Sequence, residues 1–323
     1  MLAVYAAEQS ATDPLGGLAV GDLDEPPVPA DWVPVTLRAG SLNHHDLFSL
    51  RGIGLQRERL PMILGCDAVG TTVDGDEVVV HAVIASPHWR GDETLDPERT
   101  LLSERFPGTL AERVRVPASN IVAKPSAIGA EHAACLPTAW LTAYRMLFSQ
   151  ARVRPGDTVL VQGTGGGVAT AAVQLGSAAG LRMWTTTRSE TKAQLALDFG
   201  AEEVFASGER LPRRVDAVIE TVGAATWSHS IRSLRPGGTV VISGATSGDA
   251  PDHAELSRIF FKQMRIQGST MGNRQELEQL LRFVADHDIR PVIDSSRPLD
   301  QARGAFERLA QGEVFGKLVL TAA

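Results

Sequence analysis

Residues 158–174 read TVLVQGTGGGVATAAVQ. The apolar run at 158–162 predicts a short strand, and the small apolar residues at 168–179 have the spacing of a helix. A glycine loop between them lets the backbone approach a pyrophosphate, which the free N–H groups at the start of the helix can bind. The residues expected in this contact are Gly163, Gly165, Gly166, Gly167 and Val168. The stretch therefore predicts a dinucleotide-binding unit, with a glycine hinge in another α/β fold as the alternative.

The segments around this loop show two kinds of secondary-structure pattern. From about residue 130, predicted strands and helices alternate, which indicates a parallel, doubly wound sheet. Before residue 120 the chain is β-rich, apart from a polar, irregular excursion at 86–108, and the last thirty-odd residues resemble that first part. We therefore expect an α/β protein in which residues 125–287 form one domain, inserted into a second domain made of residues 1–124 and 288–323.

Composition narrows the classes of function. The chain has 323 residues, 43% of them hydrophobic and 21% charged, with a net charge of −7. An acidic chain of this kind argues against a nucleic-acid partner. Two cysteines cannot build a four-cysteine zinc lobe or a disulfide framework, and they fit a reducing, cytoplasmic setting. Residues 158–181 carry no charge, but the glycines and glutamines among them favour a buried strand, loop and helix over a membrane span.

The end of the next predicted strand indicates which dinucleotide binds. Enzymes that use NAD usually place an acidic residue there to hold the ribose 2′-hydroxyl, and residues 184–189 (WTTTRS) have none. Thr187, Arg188 and Lys192 would instead donate hydrogen bonds and positive charge to a 2′-phosphate. We therefore predict NADP(H). The alternative is a solvated helix start, with Glu190 between the two cations, in an NAD(H)-binding protein.

Several motifs occur together in a characteristic order. They are AGSLNHHD (39–46), PMILGCDAVG (61–70), PTAWLTAY (137–144), the segment 155–174, DAVIETVG (216–223), LRPGGTVVISG (234–244), GSTMG (268–272) and GKLVL (316–320). With these motifs the chain resembles the medium-chain dehydrogenase/reductase superfamily, and within it the zinc-free quinone-oxidoreductase-like branch of the zinc-type alcohol dehydrogenase-like proteins. The resemblance implies a split, GroES-like substrate domain, a Rossmann domain and an active site in the cleft between them.

The resemblance allows each zinc-ligand position of the family to be compared with the residue found in this sequence. Zinc-dependent relatives place a cysteine where Asn43 stands, a histidine where Cys66 stands and usually a cysteine near Thr138. Asparagine and threonine are poor zinc ligands beside thiolate and imidazole. We therefore predict no metal. The alternative is an alcohol dehydrogenase with a rearranged metal site, whose candidate ligands are Cys66, His44 or His45, and Asp67.

Without a zinc ion the expected chemistry is hydride transfer to an activated C=C bond of a small quinone or enone. The charge that develops on the carbonyl oxygen needs hydrogen-bond donors, and a proton must follow. The resemblance makes Asn43 a donor to the substrate carbonyl or the nicotinamide, His45 the candidate acid, Asp46 an orienting acid and His44 a pyrophosphate contact. Phe48 stands near where quinone reductases often carry a tyrosine, so protonation by solvent and a plain surface helix start with an aspartate cap remain alternatives.

Further contacts and partners follow from the same resemblance. Residues expected to contact the cofactor are Thr142, Gly223, Gly244 and Lys317, with a surface lysine on an edge strand as the alternative for Lys317. Phe260 and Phe261 would line the substrate cleft or belong to the core. A homodimer would pair strands at 265–269, and no membrane contact is expected. A third function, a non-catalytic NADPH-binding sensor or scaffold, also fits the sequence.

Overall fold

The computed structural model describes residues 1–322. Its strands, in chain order, are β1 (Leu2–Ala6), β2 (Leu18–Asp22), β3 (Val33–Ser41), β4 (Met62–Ile63), β5 (Asp67–Thr72), β6 (Glu77–Val80), β7 (Val83–Ile84), β8 (Thr100–Leu101), β9 (Arg113–Val116), β10 (Ile121–Ala123), β11 (Thr158–Val161), β12 (Arg182–Thr187), β13 (Glu203–Ala206), β14 (Val215–Glu220), β15 (Leu234–Ile242), β16 (Arg265–Gly268), β17 (Ile293–Pro298) and β18 (Lys317–Thr321). Its α-helices are α1 (His44–Leu50), α2 (Ala130–Ala134), α3 (Leu141–Tyr144), α4 (Gly167–Ala178), α5 (Glu190–Asp198), α6 (Ala224–Ser233), α7 (Leu256–Phe261), α8 (Arg274–Asp286) and α9 (Ala302–Gln311). Two π-helical segments, Leu136–Trp140 and Arg145–Ala151, flank α3.

The chain divides into two compact units, and the first consists of Met1–Ala139 together with Gly272–Ala323. The sequence prediction placed the changes of domain at 124 and 288. The segments beyond those points pack on the β-rich unit: α2 lies on β3 and β5. Arg274, the first residue of α8, donates through Nη2 to the carbonyl oxygen of Ile121 in β10 at 3.1 Å.

The β-rich unit is built around one large sheet to which both ends of the chain contribute. Its strand order is β10-β6-β5-β3-β18-β17, with β9 also paired to β3, and a three-stranded sheet β2-β1-β4 accompanies it. Strand β18 is antiparallel to β3 and parallel to β17, so the C-terminal segment completes a sheet that the N-terminal segment begins. The core of this unit is aliphatic and continuous, with Leu37, Leu64, Val80 and Leu318 at or near complete burial.

The second unit, Trp140–Met271, carries a six-stranded sheet in the order β13-β12-β11-β14-β15-β16. Every pairing in it is parallel. Numbered within the unit this is the order 3-2-1-4-5-6 of a Rossmann sheet. The predicted doubly wound parallel sheet is confirmed. Strand β13 was not predicted, because its four residues, EVFA, are only partly buried and show little contrast with the flanking loop.

The uncharged stretch at 158–181 is explained by burial between sheet and helix. Strand β11 is buried at all four residues, because helices cover both faces of a parallel sheet. Helix α4 buries seven small or aliphatic residues. Within residues 1–322, no helix combines the length and the apolar character that crossing a bilayer requires.

Strand register brings the first candidate residues together at one edge of the large sheet. Ser41, the last residue of β3, pairs with Asp67, the first residue of β5. Ser41 also pairs with Val319 of β18, two residues after Lys317. Helix α1 begins at His44, directly after this edge. The ends of β3, β5 and β18 therefore converge on the start of α1.

Candidate active site

A buried ion pair occupies this edge of the β-rich unit. The Lys317 ammonium donates to the carbonyl oxygen of Leu42 at 2.7 Å, to Asn43 Oδ1 at 2.6 Å and to Asp67 Oδ2 at 3.3 Å. The Lys317 side chain is 2% exposed and that of Asp67 is fully buried. Asp67 Oδ2 also accepts from Ser41 Oγ at 2.6 Å. The Lys317 ammonium and the Asp67 carboxylate therefore compensate each other's charge in a position shielded from water.

The same contacts fix Asn43. Its Nδ2 donates to Asp67 Oδ2 at 2.8 Å while its Oδ1 accepts from Lys317, so both ends of the amide are engaged. Its role toward a substrate or the nicotinamide stays a prediction, as does contact of Lys317 with the cofactor. The alternative of a surface lysine on an edge strand is wrong, because Lys317 is buried and β18 has a neighbour on each side.

His45, the residue predicted to supply a proton, has three polar groups around its ring, one at Nε2 and two at Nδ1. Nε2 lies 3.1 Å from Oε1 of Glu104, and Nδ1 lies 3.4 Å from both Cys66 Sγ and Ser103 Oγ. The His45 side chain keeps 17% of its surface exposed and that of Glu104 keeps 23%. The ring is therefore held from both sides but is still accessible.

The charges around His45 favour its cationic form. Burial opposes the imidazolium, but the contacts with Cys66 and Glu104, and the nearby Asp46 charge, outweigh it and raise the pKa of His45 well above its ordinary value. Burial also opposes the Glu104 carboxylate, yet the hydrogen bond from His45 holds the pKa of Glu104 below its usual range. Burial raises the pKa of the Cys66 thiol, which donates to the carbonyl oxygen of Leu102 at 3.2 Å. The Cys66 sulfur and the Glu104 carboxylate therefore face opposite edges of the histidine ring.

Asp46 is a structural acid at the start of α1. Its Oδ2 accepts from the backbone N–H of Asn43 at 2.8 Å, as in a capping box, and its Oδ1 accepts from the N–H of Gly65 at 2.9 Å. Burial, the largest influence, raises the pKa of this carboxyl. Both oxygens are thus used to fix α1 against the segment that carries Cys66.

The residues at this edge do not fit a catalytic zinc ion. Asn43 Oδ1 and Asp67 Oδ2 already bind the Lys317 ammonium, which would repel a divalent cation. His45 contacts Cys66 and Glu104 through different ring nitrogens, so these three groups do not converge on one point. Within residues 1–322, no group of three or more histidine, cysteine, aspartate or glutamate side chains is placed to hold a metal. This geometry also disfavours the rearranged ligand set.

The glycine loop of the second unit has the form that a dinucleotide site needs. Gly163 and Gly165 have φ values of +80° and +103°, which glycine adopts without strain. Gly166 caps α4, Gly167 and Val168 are its first residues, and a Cβ at Gly166 would meet no protein atom within 4 Å. The start of this twelve-residue helix therefore has open space beside Gly166, and the free N–H groups of its first turn can bind a phosphate.

The end of β12 presents hydroxyls and an unpaired cation. Thr187 is the last residue of β12, and its Oγ1 accepts from the N–H of Ser189 at 3.1 Å. Ser189 caps α5 by accepting from the N–H of Lys192. Arg188 is exposed, and its guanidinium forms no hydrogen bond or ion pair with any residue in 1–322. Thr187 and Arg188 fit a 2′-phosphate, and the acid in this segment, Glu190, follows two positions after Arg188 as the first residue of α5.

The remaining predicted cofactor residues lie at the carboxyl ends of the sheet strands and on α3. Gly223 has a φ of +95°, and a Cβ there would lie 2.4 Å from the carbonyl oxygen of Gly248. The buried Glu220 carboxylate fixes this turn by accepting from the N–H groups of Val222 and Gly223 at 2.8 and 3.0 Å. Gly244 follows β15, and Thr142 is buried on α3, which packs against α4. Only a glycine fits at position 223.

Sequence reasoning missed two of the groups around His45. Glu104 and Ser103 lie in the polar excursion at 86–108, and no motif or periodicity there marks either residue. The sequence left two interpretations of Phe260 and Phe261 open: that they line the substrate cleft or that they belong to the hydrophobic core. Their rings lie 4.4 Å apart with 61% and 75% of their surface exposed, so within their own unit they are not core.

Comparison with known proteins identifies the two units. Residues 29–126 match the alcohol dehydrogenase GroES-like domain, and residues 167–286 match the zinc-binding dehydrogenase domain. An acryloyl-coenzyme A reductase of Metallosphaera sedula is 29% identical, with 94% of this chain and 96% of the relative covered. A zinc-type alcohol dehydrogenase-like protein of Schizosaccharomyces pombe is 30% identical, with 89% and 90% covered.

Solved structures agree with the sequence relatives. The crystal structure of an NAD-dependent alcohol dehydrogenase is 31% identical, with a TM-score of 0.91 and both chains fully covered. Together with the GroES-like and Rossmann units this confirms the fold class expected from the motifs. The chain belongs to the medium-chain dehydrogenase/reductase family of oxidoreductases, among its zinc-type alcohol dehydrogenase-like members.

Proposed function

We propose that this protein is an NADPH-dependent reductase that transfers a hydride to the activated C=C bond of an α,β-unsaturated carbonyl compound or a quinone, without a catalytic zinc ion. The observation that carries the proposal is the Lys317–Asn43–Asp67 arrangement, in which an ammonium binds the oxygens of residues at or beside zinc-ligand positions. Alcohol oxidation in this fold relies on a Lewis acid to stabilise an alkoxide. Conjugate reduction can proceed with hydrogen-bond donors and an acid.

The cofactor choice rests on the end of β12. Arg188 has no partner among residues 1–322, and Thr187 and Lys192 lie on either side of it in sequence. An arginine is suited to bind a phosphate through two parallel hydrogen bonds, whereas a ribose hydroxyl usually pairs with an acid that is missing here. The relative of known structure is described as NAD-dependent, so the cofactor is a property to test on this chain itself.

The proton chemistry rests on His45. When bound, NADPH supplies the hydride to the β-carbon of the substrate. An imidazolium at His45 would stabilise the enolate oxygen or protonate the α-carbon, and the contacts of the ring with Cys66 and Glu104 favour that protonated form. The Asn43 amide links Lys317 to Asp67 by its two hydrogen bonds and so holds these side chains in place. Asp46 fixes the start of α1, the helix that carries His45.

The relatives support an unsaturated carbonyl as the substrate class. The Metallosphaera sedula protein is an acryloyl-coenzyme A reductase, and an acryloyl group is an α,β-unsaturated carbonyl. The identity over nearly the whole of both chains makes this class the first to test. A free quinone or enone and an enoyl thioester share the electrophilic C=C bond, so one panel can include all three.

The test combines elemental analysis with turnover. Purified protein of measured zinc content is mixed with NADPH and a panel of enones, quinones and enoyl thioesters, each matched with its saturated analogue. We expect consumption of NADPH with the unsaturated compounds only, in protein that holds far less than one zinc per chain. No consumption above background would refute the activity. Stoichiometric zinc would favour the alcohol dehydrogenase alternative, and tight NADPH binding without turnover would favour a sensor.

We also propose a cytoplasmic homodimer. Within residues 1–322, strand β16 pairs with β15 on one side only, and all four of its residues are exposed. Ile266 in this strand is exposed, as are Phe260 and Phe261 a few positions earlier in the chain. An edge strand with apolar neighbours is suited to pair with a second copy. The two cysteines are free and buried, as is usual in a reducing compartment. Light scattering should give the dimer mass, and Ile266→Lys should give a monomer.

A further inference from the structure

Glu104 contacts His45, and neither a motif nor the family resemblance assigns it a role. Glu104 lies outside every motif, yet its Oε1 is 3.1 Å from His45 Nε2. Its other oxygen accepts from the N–H of Leu101 at 3.0 Å and from Thr100 Oγ1 at 3.3 Å. Both carboxylate oxygens are therefore bound, one by the backbone of its own loop and one by the histidine. The loop presents the carboxylate in a fixed position.

The opposite edge of the ring is fixed as well. Ser103 is fully buried and has a φ of +70°, a left-handed conformation that is uncommon for a residue other than glycine. This conformation places its hydroxyl 3.4 Å from His45 Nδ1 and 4.0 Å from Cys66 Sγ. Strain of this kind persists only where the surroundings determine it, and it is concentrated at functional sites. Consecutive residues of one loop thus contact the two nitrogens of one imidazole.

We infer that Glu104 is a positioning residue for proton transfer by His45: its carboxylate orients the ring and stabilises the imidazolium, with Ser103 and Cys66 fixing the other nitrogen. The inference rests on the proposed conjugate reduction. In each turnover the hydride forms a C–H bond at the β-carbon and reduces the C=C bond by two electrons, and the cofactor is oxidised. His45 gives one proton to the α-carbon or the enolate oxygen and regains one from solvent.

The acidic groups near His45 favour its protonated form. Glu104 and Asp46 are acids, and their negative charge favours the imidazolium. The Cys66 sulfur and the Ser103 hydroxyl oxygen each lie 3.4 Å from Nδ1, where they can accept from Nδ1–H when the ring is protonated. Glu104 is the acid in direct contact with the ring, so removing its charge should lower the pKa of the histidine.

The test replaces the charge and keeps the shape. Glu104→Gln retains an oxygen that can accept from Leu101 and removes the negative charge, and Glu98→Gln is the matched control because Glu98 is an exposed residue of the same loop. NMR of the histidine ring nitrogens in the full-length protein, without cofactor, gives the protonation state of His45 against pH. We expect Glu104→Gln to lower the pKa of His45 by about one unit or more, and Glu98→Gln to leave it unchanged.

Turnover provides the second measurement. For Glu104→Gln we expect kcat with an enone at pH 8 to fall about tenfold or more, since one pKa unit is a tenfold change in protonation, while KM for NADPH stays within about twofold. Glu104→Asp should restore part of the loss. An unchanged His45 titration in Glu104→Gln would overturn the inference. Absence of any reductase activity in the unaltered protein would refute the proposed function instead, and the NMR result would still stand or fall separately.

Discussion

Replacing Lys317 with methionine removes the ammonium that compensates the fully buried carboxylate of Asp67. Methionine has nearly the length of the lysine side chain and no charge. The substitution leaves Asp67 Oδ2 with donors from Ser41 and Asn43, and it leaves the carbonyl oxygen of Leu42 and Asn43 Oδ1 without the ammonium. The side chains of both partners are almost completely shielded from water, so solvent cannot replace the lost interactions.

The cost follows from that burial. Breaking a buried ion pair by removing one partner typically destabilises a protein by about 3–5 kcal/mol, because the other charge is left uncompensated. Where amide exchange requires the structure to open, this loss of stability corresponds to roughly 100- to 4,000-fold faster hydrogen exchange. The effect should be greatest at the ends of β3, β5 and β18, which meet at this pair, and small in the second unit. Removing the second charge with Asp67→Asn in the same chain should recover most of the loss.

Hydrogen exchange followed by mass spectrometry resolves these segments. Peptides from β3 and β18 are compared in the unaltered protein, in Lys317→Met, in the double variant and in Lys262→Met, which removes an exposed lysine as the control. We predict fast exchange only in Lys317→Met. Exchange in Lys317→Met within about threefold of the control, less than 0.7 kcal/mol, would refute the reasoning, and so would a double variant as unstable as the single one.

Three further predictions concern the cofactor, the acid and metal. Arg188→Ala should weaken NADPH binding by about 10- to 100-fold, the range for a lost charge-assisted hydrogen bond, and leave NADH binding unchanged by fluorescence titration; an equal loss for both would contradict a 2′-phosphate contact. Because the pKa of His45 is raised, kcat should persist above pH 6.5 and decline as pH rises through the raised value, a limb that His45→Asn should lack. The same shift stabilises the fold fully below about pH 6.5, and this contribution is lost as pH rises through the folded-state pKa. Prolonged treatment with a zinc chelator should leave kcat unchanged, whereas loss restored by added zinc would show a metal requirement.

Much of the fold could be predicted from the residues. The TVLVQ strand, its glycine loop and the small-residue helix lie within one residue of β11 and α4, because each boundary is marked by a change in residue type. Strand β15 shows the limit. It begins at Leu234, before the apolar run at 239–242, and Pro236 and two glycines are accommodated in the strand with a shift of register against β14. Nothing in the local sequence distinguishes such an irregular strand from a turn.

The site was less predictable for a similar reason. Asn43, His45 and Asp46 lie in one motif, and their neighbourhood could be expected from it. The contacts of Lys317 with Asn43 and Asp67 join residues more than 240 positions apart, and they depend on β18 being inserted next to β3. Glu104 reaches His45 from a loop whose sequence has no recognisable pattern. Such contacts are fixed by tertiary packing, which a single sequence does not display.

The central claim is that hydride goes to the carbon of an activated C=C bond and not to the carbonyl carbon. The most direct measurement uses NADPH carrying deuterium at the transferred position of C4, cyclohex-2-enone as the probe, and NMR of the product. We predict cyclohexanone with one deuterium on the former β-carbon and none on the carbon that bears oxygen. Deuterium on the oxygen-bearing carbon of an allylic alcohol would contradict the account, since it would show carbonyl reduction of the alcohol dehydrogenase type.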